Sequence, residues 1–122
     1  MRSTFLTFAA LNATLAISAC NLVPGACTLE AAAAVSVDVR DSITNAPAGR
    51  GGRIIAREGA FADTADATEF LDGPYGLAHE RAGTYTVSVE QAGYRLWSQS
   101  GIRVTRGECH VRTVSLTARL QP

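Results

Sequence analysis

GTYTVSVEQAGY, residues 83–94, alternates with a period of two: Tyr85, Val87 and Val89 fall on one side, Thr84, Thr86 and Ser88 on the other. Successive side chains of an extended chain point in opposite directions, so this pattern marks a strand with one buried and one solvated face. Gly83 permits a tight approach into the strand, and Gly93 takes the positive φ that turns the chain before Tyr94. Tyr85 offers a ring to the core and a hydroxyl to its edge.

The same alternation recurs upstream. In AVSVDVRD, residues 34–41, Val35, Val37 and Val39 share one face and Ser36, Asp38 and Arg40 the other. TNAP at 44–47 is a turn signal, and GRIIARE at 52–58 gives a second, weaker strand around Ile54 and Ile55. Downstream, RLWSQSGIRVT (95–105) supplies Leu96 with Trp97, then Ile102 and Val104, before a tight turn at RGEC (106–109). CHVRTVSLTARL (109–120) changes phase: Cys109 and Val111 are odd, Val114, Leu116, Ala118 and Leu120 even. One face cannot hold both sets, which predicts a β-bulge near Arg112–Thr113. Residues 59–77 read two ways, as a short helix over 62–71 or as a wide hairpin or long loop, with a turn at GPYG (73–76). Turn signals about every 8–12 residues between short alternating segments predict an all-β chain, a small antiparallel β-sandwich of about seven strands.

The N-terminus is of another kind. Arg2 precedes an apolar stretch, Phe5 to Ile17, too short and too polar for a membrane span of about 20 apolar residues. It fits the apolar region of a signal peptide covering residues 1–19. Ile17-Ser18-Ala19-Cys20 resembles the lipobox of bacterial lipoproteins: an aliphatic residue, two small residues, then cysteine. The resemblance implies a diacylglyceryl thioether on Cys20, which becomes the mature N-terminus and anchors the protein to a membrane. The alternative is ordinary cleavage, for example after Ser18, which would leave a free thiol at Cys20. Asn21 stands where an aspartate often marks inner-membrane retention, so the expected location is exported, at the outer membrane facing the periplasm in a Gram-negative host. Residues 20–33, with Pro24, Gly25 and the alanine run to Ala34, read as a tether, and 34–122 as the domain.

Of the three cysteines, lipidation consumes Cys20. Cys27 and Cys109 are then the expected disulfide of an exported protein, the alternative being two free thiols. Such a bridge closes a loop of roughly 80 residues, for which chain entropy gives about 4–5 kcal/mol. A mature chain of about 100 residues is small enough to benefit.

With a formal net charge of zero and scattered basic residues, all of them arginine, the chain has no field that favours nucleic acid. Much of the 47% hydrophobic content is alanine, and much of that alanine lies in the first 34 residues.

Three stretches resemble the carboxypeptidase regulatory-like domains, prealbumin-like β-sandwiches related to transthyretin. VSVDVRDSITNAP is similar to the family's first strand and its D-x-x-T-G-x-P turn, with Asn45 where glycine is usual. ERAGTYTVSVEQAGY is similar to its G-x-Y-x-V strand ending in G-Y, and Cys109-His110-Val111 with the following strand is similar to exported lipoprotein members. The resemblance covers about residues 33–120. It implies an accessory module and no chemistry.

The residues themselves agree with a noncatalytic reading. His79 and His110 are the only histidines, and neither H-x-H nor C-x-x-C occurs, so neither a metal nor a cofactor is expected. The H-x-H of intradiol dioxygenases and the Y-R-G-S tail of hydroxyisourate hydrolases are both missing; the chain ends ARLQP. No sequence set of nucleophile, base and orienting group stands out. Asp63, Asp66, Glu69 and Asp72 lack the grammar of a calcium loop and read as a solvated acidic face. Arg50, Arg53 and Arg57 form a local basic patch, either a solubilising surface that neutralises nearby acids or a contact for anionic headgroups. Tyr94 and Trp97, with the loop at 98–101, are the candidate contact surface, against the commoner role of a lone tryptophan as core. The function expected is therefore protein interaction or structural support in the cell envelope, with an envelope protein as partner. The alternative is a small-ligand or carbohydrate-binding module, against which stands the little room such a small domain has for a pocket.

Overall fold

A computed structural model describes residues 27–68 and 71–122; the signal peptide, Cys20 and the first part of the tether lie outside the described residues. The described chain is all-β: β1 (Val35–Asp41), β2 (Arg53–Glu58), β3 (Phe61–Asp66), β4 (Tyr75–Leu77), β5 (Gly83–Glu90), β6 (Trp97–Val104) and β7 (Val114–Leu120). They form a three-stranded sheet ordered β4-β1-β7 and a four-stranded sheet ordered β3-β2-β5-β6. The core is the contents of the two facing surfaces. Val35, Val37 and Val39 of β1 and Tyr85, Val87 and Val89 of β5 are wholly buried, with Ile54, Leu77, Ala118 and Leu120. Burying each valine or leucine contributes about 1.5–3 kcal/mol, so the two alternating segments dominate the fold's stability.

All pairings but one are antiparallel; β1 and β7 run parallel from Val35↔Val114 to Asp41↔Leu120. The parallel pair matters for function, because both strands begin at one end of the sandwich and finish at the other.

The ambiguous segment after Glu58 is a hairpin, not a helix. Gly59, at φ 54°, begins a two-residue turn, and Glu58 pairs with Phe61 on the far side. On a strand, three-residue spacing alternates faces. Asp63 therefore lies on the inner side and caps the Ala78 N–H at 2.8 Å, while Asp66 lies outside and pairs with Arg53. They do not form one acidic face. Ile54 and Ile55 likewise point to opposite sides: Ile54 joins the core, and Ile55 is buried on the outer face between its cross-strand neighbours Thr64 and Ser88.

The bulge expected near Arg112–Thr113 is not there. The odd and even sets of residues 109–120 belong to different structures. Val111 closes a small bridge with Arg106, and β7 begins afresh at Val114. Leaving the strand is a simpler way to change phase than bulging it. The irregularity of the sheet lies instead in β6, where Tyr85 pairs with Ile102 but Val87 with Gln99, and Gly101 takes φ 69°. A glycine with positive φ at a two-against-one step is a β-bulge.

The register distinguishes two poles. At one lie the starts of β1, β5 and β7, the end of β6, and the β2–β3 turn; at the other lie the end of β1, the start of β2 and the end of β5.

Candidate functional site

The first pole is where the chain arrives. Cys27 and Cys109 are joined, with Cα atoms 5.2 Å apart. The neighbours of the two cysteines are brought together by the bond: Thr28 Oγ1 lies 2.9 Å from His110 Nε2. His110 Nδ1 in turn lies 2.6 Å from Glu80 Oε1. Glu80 also accepts from the Ala32 N–H at 2.6 Å and the Val111 N–H at 3.3 Å, and its own N–H donates to the Ala32 carbonyl at 2.8 Å. The Ala32 N–H, then the His110 ring, hold the Glu80 carboxyl below its ordinary range. Thr113 Oγ1 donates to the Ala33 carbonyl, the Ala34 N–H to Leu77 and the Val114 N–H to Ala34. The segment is thus fastened to the sandwich at Cys27–Thr28 and again at Ala32–Ala34, with Leu29 between them fully exposed.

Sequence reasoning missed the alignment of Thr28, His110 and Glu80. Its signal was present in the adjacency of Thr28 to Cys27 and of His110 to Cys109, once the disulfide is drawn; Glu80 gives no such sign. Hydroxyl, imidazole and carboxylate in line are the order of an activated nucleophile. Here the carboxylate is also bound by two backbone donors of the segments it joins, and none of the three grooves described below is lined by any of the three residues. The line joins the segment that carries Thr28 and Ala32 to the loops that carry Glu80 and His110.

Beside it sits a closed corner. Tyr85 donates its hydroxyl to the Arg81 carbonyl at 2.6 Å, and Arg81 Nη1 donates to Tyr85 Oη at 3.1 Å and to Glu58 Oε1 at 2.8 Å. The Arg81 guanidinium lies 3.9 Å from the centre of the Phe61 ring, and Glu58 accepts the Thr84 N–H. That N–H, then Arg81, keep the Glu58 carboxyl low. Gly83 leaves room for the Glu58 carboxylate: a Cβ there would meet it at 2.5 Å, and the end of the Glu58 side chain would have to shift. No buried polar side-chain atom of the corner lacks a partner, and the corner ties the Arg81 loop to the end of β2 and the start of β5.

The opposite pole is open. Asp41 ends β1 and organises the turn after it, accepting from the N–H groups of Ile43 at 2.7 Å and Thr44 at 2.8 Å. Its other oxygen accepts the Tyr94 hydroxyl at 2.8 Å. The Thr44 N–H, then Tyr94, lower its pKa, and the carboxylate raises that of Tyr94. Asn45, in the turn that follows, takes φ 61°. Gln91 Nε2 donates to the carbonyls of Ala48 and Arg50. Between these loops is a groove of about 490 Å³, bounded by Gly52, Arg53, Glu90, Gln91, Tyr94 and Leu96. A second groove, about 260 Å³, lies between Leu96, Trp97 and Gln121. Leu96 separates the two and is 66% exposed.

Tyr94 and Trp97 both stand at this open pole, and both are half-buried. Tyr94 rests its ring on the core and spends its hydroxyl on Asp41; Trp97 packs against the core opposite Val89. The exposed apolar group between them is Leu96, which periodicity had assigned no separate role. A third groove, about 330 Å³, crosses the outer face of the three-stranded sheet beside Asp38, Arg40, Pro74 and Thr117.

The basic patch of Arg50, Arg53 and Arg57 does not exist as a surface. Arg50 pairs with Asp72 at 2.5 Å and Arg53 with Asp66 at 3.3 Å, while Arg57 is exposed at the other end of β2. Glu69 lies outside the described residues. Among the described residues no three histidine, cysteine or acidic side chains gather to hold a metal ion, and no helix is long and apolar enough to cross a membrane. His79 is exposed.

No protein-family model matches the chain, and no curated protein matches it.

Proposed function

We propose that the protein is a noncatalytic lipoprotein of the cell envelope. In this reading Cys20 carries the lipid, and a carboxypeptidase regulatory-like β-sandwich offers its open pole to another envelope protein. The observation that carries it is polarity. The chain arrives at, and is covalently stapled to, one end of the sandwich, while the exposed Leu96 and its flanking grooves lie at the other. A seven-residue strand measures about 23 Å, so a molecule anchored at one end holds the other well clear of the bilayer. Seven residues from Cys20 to Cys27 reach at most about 25 Å, which keeps the stapled pole close to the membrane. The lipobox supports the anchor, and Asn21 supports the outer membrane of a Gram-negative host.

A photo-crosslinking residue placed at Leu96 in cells tests the contact surface. One dominant adduct with an envelope protein from Leu96, and none from Thr117 on the outer sheet face, is the expected result. Equal capture from both positions, or none from Leu96, contradicts it.

A second reading is a binding module for a small ligand. The 490 Å³ groove favours it, being within the roughly 300–1,000 Å³ of ligand sites. A carbohydrate is the poorer candidate, since stacking needs an open aromatic face and Trp97 rests on the core. Leu96→Ala separates the readings: it would weaken capture of a protein more than retention of a small molecule in the adjoining groove.

A further inference from the structure

We infer that Thr28 is an acyl-acceptor site: its hydroxyl, with His110 as base, takes an acyl group from a small activated ester or thioester. The reaction is with the chain itself, one group per molecule. It therefore goes beyond the envelope-module reading and does not rest on it.

The protons on the line can be placed. An ionised carboxylate only accepts, so His110 Nδ1, 2.6 Å from Glu80 Oε1, is the ring nitrogen that carries the proton. Nε2 of the neutral ring is then the acceptor, and the Thr28 hydroxyl 2.9 Å away donates to it. Both separations lie within the roughly 2.6–3.2 Å reach of a nucleophile, its base and the group that orients the base. Glu80 is the positioning residue. The N–H groups of Ala32 and Val111 fix its carboxylate, and these bonds with His110 keep it ionised. The backbone that delivers it is strained: Glu80 takes φ 55° and Ala78, two residues before, φ 53°. Side chains rarely adopt that region, and such residues gather at functional sites.

The nucleophile is reachable. Thr28 is exposed and His110 half-buried. The N–H groups of Leu29, Glu30 and Ala31, directly after Thr28, have no hydrogen-bond partner among the described residues. They are spare donors for the negative charge that develops on an acyl oxygen. With no groove beside it, the site selects by the reactivity of the acyl donor and not by its shape. In the step, Thr28 Oγ1 bonds to the acyl carbon and its proton passes to His110 Nε2. The bond from that carbon to the leaving oxygen or sulfur breaks, and the leaving group takes the electron pair and then the proton from Nε2.

The probe is p-nitrophenyl acetate, added to the purified full chain with Cys20→Ser, which takes the third cysteine out of the reaction. The chain has no lysine, so side-chain amines do not compete. One acetyl group on Thr28, located by peptide mass spectrometry and matched by the p-nitrophenolate released, is expected. Thr113, whose hydroxyl donates to the Ala33 carbonyl and faces no base, should stay unmodified. Thr28→Ser should keep the reaction and Thr28→Val lose it. His110→Gln should slow it roughly 100-fold, the lower end of what a general base contributes. Glu80→Gln should slow it as well, and Glu80→Asp, which keeps the charge, should recover part of the rate. Near-ultraviolet circular dichroism confirms that the variants fold. Absence of acetyl on Thr28, acetylation of Thr113 at the same rate, or a rate unchanged in His110→Gln overturns the inference.

Discussion

Four carboxylates, Asp41, Glu58, Asp63 and Glu80, accept backbone N–H groups in the turns and loops of this sandwich, and Tyr75 and Tyr85 donate their hydroxyls to the carbonyls of Leu71 and Arg81. Tyr85 is the most deeply placed, wholly buried with its hydroxyl on the Arg81 carbonyl. Tyr85→Phe should cost about 1–2 kcal/mol by chemical denaturation, because the buried carbonyl loses its partner. Tyr94→Phe should cost less, since Asp41 keeps two backbone donors. A larger loss at Tyr94 would show that the open pole, not the corner, is the stability-determining end. Asp41, Glu58 and Glu80 are all held below the ordinary carboxylate range in the folded chain. The unfolded chain therefore binds protons first as pH falls. Their contribution is fully present above about pH 4–5 and is lost as pH drops through the lowered folded values. Melting temperature should decline across that window, with a shallower decline in Glu80→Gln; identical slopes would contradict the assigned hydrogen bonds. At this scale the sequence was legible where conformation is local. Gly93 does take positive φ, as its turn suggested, and Asn45 takes it as well. Gly83 was read as a tight approach into its strand, and the structure shows what it avoids, the Glu58 carboxylate 25 residues upstream. Long-range packing of that kind leaves no mark in the neighbouring residues.

At the scale of elements, β1 and β5 were legible because each buries exactly one face, and the inner valines of each are fully enclosed. β3 was not. Phe61, Asp63 and Ala65 point inward but none is fully buried, so an edge strand of alternating partial burial carried too weak a period to exclude a helix. The phase change after Cys109 was correctly seen and wrongly explained, because the break from bridge to strand involves Ala34 and Thr105, distant in sequence. The real bulge at Gly101 sits among serines and glutamine, where no hydrophobic phase exists to reveal it. Gly101→Ala should cost about 1–2 kcal/mol, since a side chain is disfavoured at φ 69° even where space is open. A neutral outcome in denaturant titration would argue that the bulge relaxes when its glycine is removed.

At the scale of the whole molecule, the account joins a stapled pole, an open pole and a membrane. The Cys27–Cys109 bond spans 82 residues, for which chain entropy gives about 4–5 kcal/mol. Reduction, or Cys27→Ser with Cys109→Ser, should lower stability by about 2–5 kcal/mol while the far-ultraviolet spectrum remains that of a β-protein, because no strand depends on the bond for its pairing. Loss of the spectrum on reduction would show that the sandwich cannot hold its seven strands without the staple. The pairing of these two cysteines was read from the sequence by setting Cys20 aside as the expected lipidation site. The poles were not legible at all, since they follow from the parallel β1–β7 register. The proposed outward presentation of the open pole depends on Cys20, so its modification is the measurement that comes first: the intact mass of the mature chain extracted from the membrane fraction. The account predicts a chain beginning at Cys20 and heavier than its amino acids by a diacylglyceryl group with or without a further acyl chain. A chain of unmodified mass, or one that begins at another residue and is recovered from the soluble fraction, would contradict it.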